Sequence, residues 1–358
     1  MSWISVVVLI FAILGVADYL LGNKFGIGKE FEKGFSLFSS LVFSSLGILV
    51  LAPAIGVWLT PMFEKFYGLF RIDPSIIPAS LFANDMGGAT ISKSVCHWED
   101  IGKFNGYVVS TMMGCMVSYT IPVSVGMVKK EQHKDLFFGF LCGLVTIPVG
   151  SFVSGLLCGI APGALLLDLL PLLILSVVIA LGLILVPNLC IRIFSAFGKV
   201  IRCVALAGLA CAIFTFLTKR QISPYFDTLE NAAFICLNGC VTLSGMLPLM
   251  YLITKILNKP LQKLSPKIGL NNTSMVSLLT TLVSSTPVFG VMEKMNRKGV
   301  VLNSAFAVSA AFMFGAHLAF TVAFDSTYLT PMIIGKLISG ICGIALAAIL
   351  FKDKETNT

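Results

Sequence analysis

The chain has 358 residues, of which 57% are hydrophobic and only 12% are charged, and its mean hydropathy is +0.95. A soluble domain carries about 25% charged residues, and the apolar residues here occur in runs of about 20, the length that crosses a bilayer as a helix. This composition excludes a soluble protein and predicts an all-α polytopic membrane protein. The formal charge of +8 is scattered over short loops without a basic, aromatic-rich stripe, so binding to nucleic acid is not predicted.

Nine continuous apolar runs are long enough to be transmembrane helices. They cover residues 2–22, 35–59, 104–127, 136–160, 164–187, 199–217, 231–255, 300–324 and 328–351. The first run has no Lys or Arg before it and no small-residue cleavage site, so we expect a transmembrane helix and not a signal peptide. Together with two interrupted apolar segments, the prediction is about nine to eleven transmembrane helices.

The interrupted segments are residues 74–95 and 272–292. The first is broken by Asp85-Met86-Gly87-Gly88 and the second by Ser284-Ser285-Thr286-Pro287. Half of such a segment rises about 16 Å as a helix, roughly the distance from the membrane surface to its midplane. Each segment is therefore predicted to be a re-entrant hairpin, and an unbroken crossing is the alternative.

The distribution of basic residues favours the hairpins. With the N-terminus outside and both segments re-entrant, 18 Lys or Arg residues fall on the inner side and 6 on the outer side, as the positive-inside rule requires. The hairpins then enter from opposite sides, which predicts a single transporter domain of inverted repeats. The expected parts are a first repeat at about 1–160, a linking helix at 164–187, a second repeat at about 199–351 and a cytoplasmic tail at 352–358.

Asp85 is the leading candidate for a binding residue. An ionised side chain within an apolar segment is costly unless it faces protein or a watery cavity. The two glycines after it allow unusual backbone conformations and the close approach of a ligand. A carboxylate beside free carbonyl groups suits an ammonium ion, and a purely structural turn is the alternative. The predicted substrate-binding set is Asn84, Asp85, Gly87, Gly88, Ser284, Ser285, Thr286, Asn303 and His317.

Four other ionisable residues lie within the apolar spans. Asp18 and Asp168 are close to loops, so they are weaker candidates for the site. Lys336 is predicted to form a structural ion pair with one of the aspartates. His317 is expected either to donate a hydrogen bond to a carbonyl or to contact substrate in a pH-sensitive way.

Motifs for catalysis and for cofactors are missing from the sequence. It contains no nucleophile elbow, zinc-protease motif, P-loop or dinucleotide fingerprint, and its ten cysteines form no Cys-x-x-Cys or Cys/His cluster with zinc spacing. We therefore expect no enzyme, no catalytic residue, no metal and no cofactor. Gly139-x-x-x-Gly143 and Gly155-x-x-x-Gly159 predict close helix packing and leave a homo-oligomer open.

Several short motifs together resemble the ethanolamine-utilisation permease family. They are Asp85-Met86-Gly87-Gly88, Ile121-Pro122-Val123, Thr146-Ile147-Pro148, residues 305–312, His317-Leu318 and Gly335-Lys336-Leu337. The resemblance runs from about residue 30 to 350. It implies a multi-pass protein of the bacterial plasma membrane that passes ethanolamine inward for catabolism, and its partners would be ethanolamine and the lipid bilayer. A carrier for another small amine or amino acid, or a membrane-embedded enzyme, is the alternative function.

The chain departs from this family immediately before the histidine, where Ala316 stands in place of an acidic residue. If that acid holds the substrate ammonium in the family, Asp85 or Asp325 is expected to do so in this chain.

Overall fold

The computed structural model describes residues 3–351, which are mostly helical, and the predicted tail at 352–358 lies outside them. The helices of the first half are α1 (Trp3–Leu20), α2 (Ile27–Leu41), α3 (Gly47–Phe70), α4 (Ile76–Leu81), α5 (Gly88–Val95), α6 (Glu99–Tyr107), α7 (Met113–Cys115), α8 (Ile121–Met127), α9 (His133–Leu144) and α10 (Ile147–Leu157). A π-helical turn, Val42–Leu46, joins α2 to α3. A second π-helical turn, Met116–Thr120, joins α7 to α8.

The second half begins after a linking helix in two pieces, α11 (Pro162–Asp168) and α12 (Leu170–Leu185). Its helices are α13 (Pro187–Thr218), α14 (Leu229–Leu264), α15 (Asn272–Val283), α16 (Thr286–Gly290), α17 (Arg297–Ala310), α18 (Ala316–Asp325) and α19 (Leu329–Leu350). The described chain is therefore the all-α polytopic membrane protein that the composition predicts.

Within residues 3–351, seven helices are long and apolar enough to cross a membrane, or eight if one pair bent by 44° counts as a single span. The bent pair is Glu99–Thr111 and Met113–Met127, which covers the predicted span 104–127. The predicted span 300–324 is instead divided into α17 and α18 by a break at residues 311–315. These helices are counted by length and composition alone, so the expected nine to eleven transmembrane helices stay a prediction.

The segment 74–95 folds back on itself as a hairpin. Asp73 precedes it, and the Asp73 carboxylate accepts hydrogen bonds from the backbone N–H groups of His97 (2.9 Å) and Trp98 (3.0 Å), which follow it. The two ends of the segment are therefore side by side, which a crossing helix of the same length would not allow. Its arms are α4 and α5.

The segment 272–292 is also a hairpin, with α15 as its first arm and α16 in its second. The Asn271 side chain donates to the carbonyl of Lys294 (2.7 Å), and the Asn296 side chain donates to the carbonyl of Gly269 (2.8 Å). These two reciprocal bonds close the base of the hairpin.

Each hairpin is followed by a broken helix, and a glycine in that break lets the hairpin approach. A Cβ atom on Gly114 would overlap the Phe82 carbonyl in the first half, and a Cβ on Gly315 would overlap the Val283 carbonyl in the second. Phe82 and Val283 are 201 positions apart in the sequence, and so are Gly114 and Gly315. The two halves thus repeat the same local packing.

The glycine pair at 139 and 143 packs α9 against α17 within the chain. A Cβ on Gly139 would meet the carbonyl of Val301, and one on Gly143 would meet the carbonyl of Ala305 and the side chain of Val308. The expected close packing is therefore confirmed for this motif. In the other motif, Gly159 has nothing within 4 Å of a built Cβ.

The hairpin geometry predicts which positions share a side of the membrane. The test uses single cysteines introduced one at a time into a protein that lacks its ten native cysteines. Positions 262 and 294 flank the second hairpin, and cysteines there should both resist an impermeant thiol reagent added outside intact cells. Arg71 and Asp100 flank the first hairpin and should both react. By the positive-inside rule, the basic loops predict that the second hairpin's base is inside. Labelling of only one member of either pair would contradict the hairpin.

Candidate functional site

The tips of the two hairpins meet at a cavity of about 510 Å³. Four of the predicted site residues line it, namely Asp85 from the first hairpin, Ser284 and Thr286 from the second, and His317 from α18. They come from segments about 200 residues apart in the sequence. Further wall residues come from α2, α7, α14, the two π-helical turns and the region around the break after Ala310, and they include Lys33, Ser40, Ser44, Cys115, Tyr119, Leu243, Leu247, Phe312 and Ala316.

The first tip is shaped by a left-handed glycine. Gly87 has φ 95° and ψ −15°, a conformation that residues with a Cβ rarely adopt, and it directly precedes α5. The N–H groups of Met86 and Gly88 both donate to the carbonyl of Ala83, at 2.9 Å each. This tight turn places Asp85 against the cavity, between the end of one helix and the start of the next.

The second tip is shaped by an extended residue followed by a helix start. Ser284 has φ −159° and ψ 133°, and α16 then begins at Thr286 with Pro287 in its first turn, where a proline needs no N–H donor. The Thr286 hydroxyl is 2.8 Å from the Tyr119 hydroxyl, so the two share a hydrogen bond. Tyr119 lies in the π-helical turn Met116–Thr120, which re-aims side chains as such turns often do at functional sites.

The break at residues 311–315 supplies an aromatic wall. Phe312 has a positive φ of 60°, and its N–H donates to the Thr281 carbonyl of the second hairpin at 3.2 Å. Its ring lies 5.5 Å from the Tyr119 ring and 5.2 Å from the His317 ring, measured between centroids. Aromatic faces beside a carboxylate favour a cation.

Lys336 lies behind His317 and is fully buried. Its Nζ donates to the carbonyl of Thr111 at 2.6 Å and is 3.1 Å from His317 Nδ1. The prediction of an ion pair between Lys336 and an aspartate is therefore wrong at the level of direct contact. Its partners are the imidazole and a carbonyl group in the break between α6 and α7, because unpaired carbonyls in a broken helix are strong acceptors.

The other predicted site residues lie outside the cavity wall. Asn84 is buried just behind Asp85, where its amide donates to the carbonyl of His317 (3.2 Å) and to the Thr321 hydroxyl (3.3 Å). Gly88 begins α5, and the buried Ser285 hydroxyl has no hydrogen-bond partner within residues 3–351. Asn303 is placed elsewhere, with its amide donating to the carbonyls of Ser274 and Gly299. Asn303 therefore joins the base of the second hairpin to α17.

The other candidate aspartates have structural partners. Asp18 accepts from the N–H groups of Phe25 and Gly28 (2.9 Å each) and so caps the start of α2. Asp168 accepts from the Asn105 amide at 3.2 Å, away from the hairpin tips. Asp325 accepts from the N–H and the hydroxyl of Thr327. None of these three lines the cavity, which leaves Asp85 as its carboxylate.

Tyr119, Phe312 and Cys115 line the site but were missed in the sequence. Tyr119 precedes Ile121-Pro122, and a hydroxyl-bearing aromatic residue next to a proline in an apolar span is a weak signal that could have marked it. Cys115 and Phe312 have no local signal, because an apolar residue in an apolar span looks like packing.

Ion pairs outside the membrane segments fix the base of the second hairpin. Lys129 Nζ is 2.7 Å from a Glu293 carboxylate oxygen, and this hydrogen-bonded contact lowers the pKa of Glu293 and raises the pKa of Lys129. Nearby, Arg297 binds both carboxylate oxygens of Asp135 at 3.1 Å. The two pairs join the end of the second hairpin and the start of α17 to the segment around α9.

Residues 3–351 contain no group of three or more His, Cys, Asp or Glu side chains placed to hold a metal ion. A larger cavity of about 990 Å³ lies beside α9, with Lys130, His133 and Lys134 in its wall. No residue of the predicted site lines that cavity.

Residues 2–350 match the family described as ethanolamine utilisation protein, EutH. The chain belongs to this family. It is 37% identical over 337 residues to the probable ethanolamine permease EutH of Listeria monocytogenes. The alignment covers 94% of this chain and 90% of the relative.

Two further proteins are also similar to this chain along most of their length. The probable ethanolamine permease EutH of Salmonella typhimurium is 32% identical, with 91% of this chain and 86% of the relative covered. The uncharacterized protein YxeR of Bacillus subtilis is 36% identical, with 94% and 91% covered. No solved structure matches the chain. As a member of this family, the chain is a permease and not an enzyme.

Proposed function

We propose that this chain takes up ethanolamine across the bacterial plasma membrane and so supplies ethanolamine catabolism. The observation that carries the proposal is the cavity between the hairpin tips, which combines the Asp85 carboxylate with hydroxyl groups. Ethanolamine carries an ammonium group at one end and a hydroxyl at the other, and the cavity offers a partner for each. The names of the Listeria and Salmonella relatives point to the same substrate.

Asp85 is the proposed partner of the ammonium group. Its carboxylate provides the charge, and the rings of Tyr119 and Phe312 provide aromatic surface next to it. Thr286 and Tyr119 are the proposed partners of the substrate hydroxyl, because their hydroxyl groups already exchange one hydrogen bond and each can accept or donate another. Ser284 lies beside them at the same tip.

The proposed architecture is an inverted repeat with the cavity at its centre. The matching approaches of Phe82 to Gly114 and of Val283 to Gly315 support it, as does the order of elements, since each half has a long helix, a hairpin, a broken helix and a final span. The cavity wall extends along α2 to Lys33, which the basic loops place on the inner side. We therefore infer an opening toward the cytoplasm.

Uptake through the protein should matter most in acid. A primary amine titrates near the lysine value of about 10, so each unit decrease in pH lowers the membrane-permeant neutral fraction about tenfold. We expect that labelled ethanolamine uptake at pH 5 is markedly higher in cells with the protein than without it, and that the difference shrinks toward pH 8 when the substrate is abundant. Equal uptake at pH 5 would contradict the proposal.

A carrier for another amine or amino acid remains the second candidate, because a cavity of about 510 Å³ exceeds the needs of a molecule with four heavy atoms. Competition decides between the two. If choline, propanolamine or amino acids at tenfold excess inhibit labelled ethanolamine uptake less than unlabelled ethanolamine does, ethanolamine is the preferred substrate. Stronger inhibition by one of them would transfer the assignment to that compound.

A further inference from the structure

The buried ammonium group of Lys336 shares its surroundings with the proposed substrate site. Lys336 is 0% exposed and lies on α19, and within residues 3–351 its hydrogen bonds go to the Thr111 carbonyl and to His317 Nδ1. His317 in turn lines the cavity together with Asp85. One imidazole ring therefore stands between the buried lysine and the place proposed for the substrate ammonium.

Within residues 3–351, His317 is the titratable group that bonds Lys336 directly. His317 shares the cavity wall with Asp85 and Cys115. Elsewhere on α19, the Ser154 hydroxyl donates to the carbonyl of Pro331 and the Ser309 hydroxyl bonds that of Ser339, and neither serine titrates. Asp85 is thus the carboxylate of the cavity that Lys336 reaches through His317, and no direct ion pair joins the two within the described residues.

A charge count follows from this arrangement. With Asp85 ionised and Lys336 protonated, the empty site is neutral. A bound ammonium ion would add a second cation and leave one uncompensated positive charge in a desolvated place, which is strongly unfavourable. Loss of one proton from the site removes that cost.

We propose that Lys336 is the resident counter-cation of Asp85, so that binding of one amine cation expels one proton from the site. The inference rests on the proposed function and adds that binding of the amine is coupled to release of a proton. A protonated amine enters a site that holds the Asp85 carboxylate and the Lys336 ammonium group. Of the two amino groups then present, one stays protonated and the other loses its proton to the buffer. No bond other than N–H is broken.

The test is the number of protons released on binding to the full-length protein in detergent. Titration calorimetry with ethanolamine at pH 6.5, in several buffers with different ionisation enthalpies, gives this number from the slope of the observed enthalpy. We expect about one proton released per ethanolamine bound. Zero protons released by the wild-type protein would overturn the proposal without any variant and would leave the proposed function intact. Absence of binding would overturn both.

Two variants identify the source of the effect. Lys336→Arg keeps the positive charge on a guanidinium that does not lose its proton, and the double variant Lys336→Met with Asp85→Asn removes both charges of the site, so whichever variant folds can be used. Proton release should decrease to near zero in both, while Lys263→Met, an exposed lysine on α14, should release the wild-type number. Unchanged release in the Lys336 variants would overturn the assignment to Lys336.

Discussion

Replacement of Asp85 by Asn is expected to weaken ethanolamine affinity at least about 30-fold. The change keeps the size and the hydrogen-bonding capacity of the side chain and removes its charge. At a desolvated site, loss of the charged partner of an ion typically costs about 2–5 kcal/mol, and 2 kcal/mol corresponds to about 30-fold in affinity. The measurement is the concentration dependence of labelled ethanolamine uptake at pH 5, where leakage of neutral amine is smallest.

The control for this variant is Asp100→Asn, which removes an exposed carboxylate at the start of α6. Its uptake should equal that of the wild type. If Asp85→Asn reaches the membrane in normal amounts and transports with normal affinity, the cavity carboxylate is not the ammonium partner. The alternatives Asp18, Asp168 and Asp325 already accept hydrogen bonds from their own neighbours. Such a result would reassign the ammonium partner to one of these three residues, whose carboxylates can each accept further hydrogen bonds.

Substitution of Gly315 by Ala is expected to displace the second hairpin. A Cβ atom at this position would overlap the Val283 carbonyl, and backbone cannot move aside as a flexible side chain does. Overpacking of this kind costs about 1–3 kcal/mol, which corresponds to about 5- to 150-fold in the population of the packed arrangement. Ser284 directly follows Val283, and Thr286 is two residues further along, so uptake should decrease together with the thermal stability of the purified protein.

Gly114→Ala should behave in the same way, because a Cβ there would overlap the Phe82 carbonyl at the first hairpin. The matched control is Gly126→Ala in α8, where nothing lies within 4 Å of the added atom. Wild-type stability in Gly315→Ala and Gly114→Ala would show that the hairpins are not packed against these glycines. It would also remove the main geometric support for the inverted repeat.

The sequence by itself determined the membrane class and the breaks at Asp85–Gly88 and Ser284–Pro287. A bilayer imposes a minimum length of apolar residues on each crossing helix, and Gly87 and Pro287 interrupt helices for local steric reasons. These are local properties, and each can be identified within about 25 residues of chain. The basic residues of all the loops together also indicated that 74–95 and 272–292 are hairpins. The sequence did not reveal the bend after Thr111 or the break at residues 311–315, which lie within continuous apolar runs.

Only the tertiary structure decided which side chains meet. Tyr119 bonds Thr286 across 167 positions, and Lys336 bonds Thr111 across 225. Charge alone predicted an aspartate as the partner of Lys336, but packing at Gly114 and Gly315 fixes the breaks in space and brings a carbonyl and an imidazole within reach instead. Asn303 was predicted to bind substrate because it is polar, but its amide joins the base of the second hairpin to α17. The physical reason is that hydropathy fixes where a helix begins and ends, whereas contacts between distant helices depend on their relative rotation and depth.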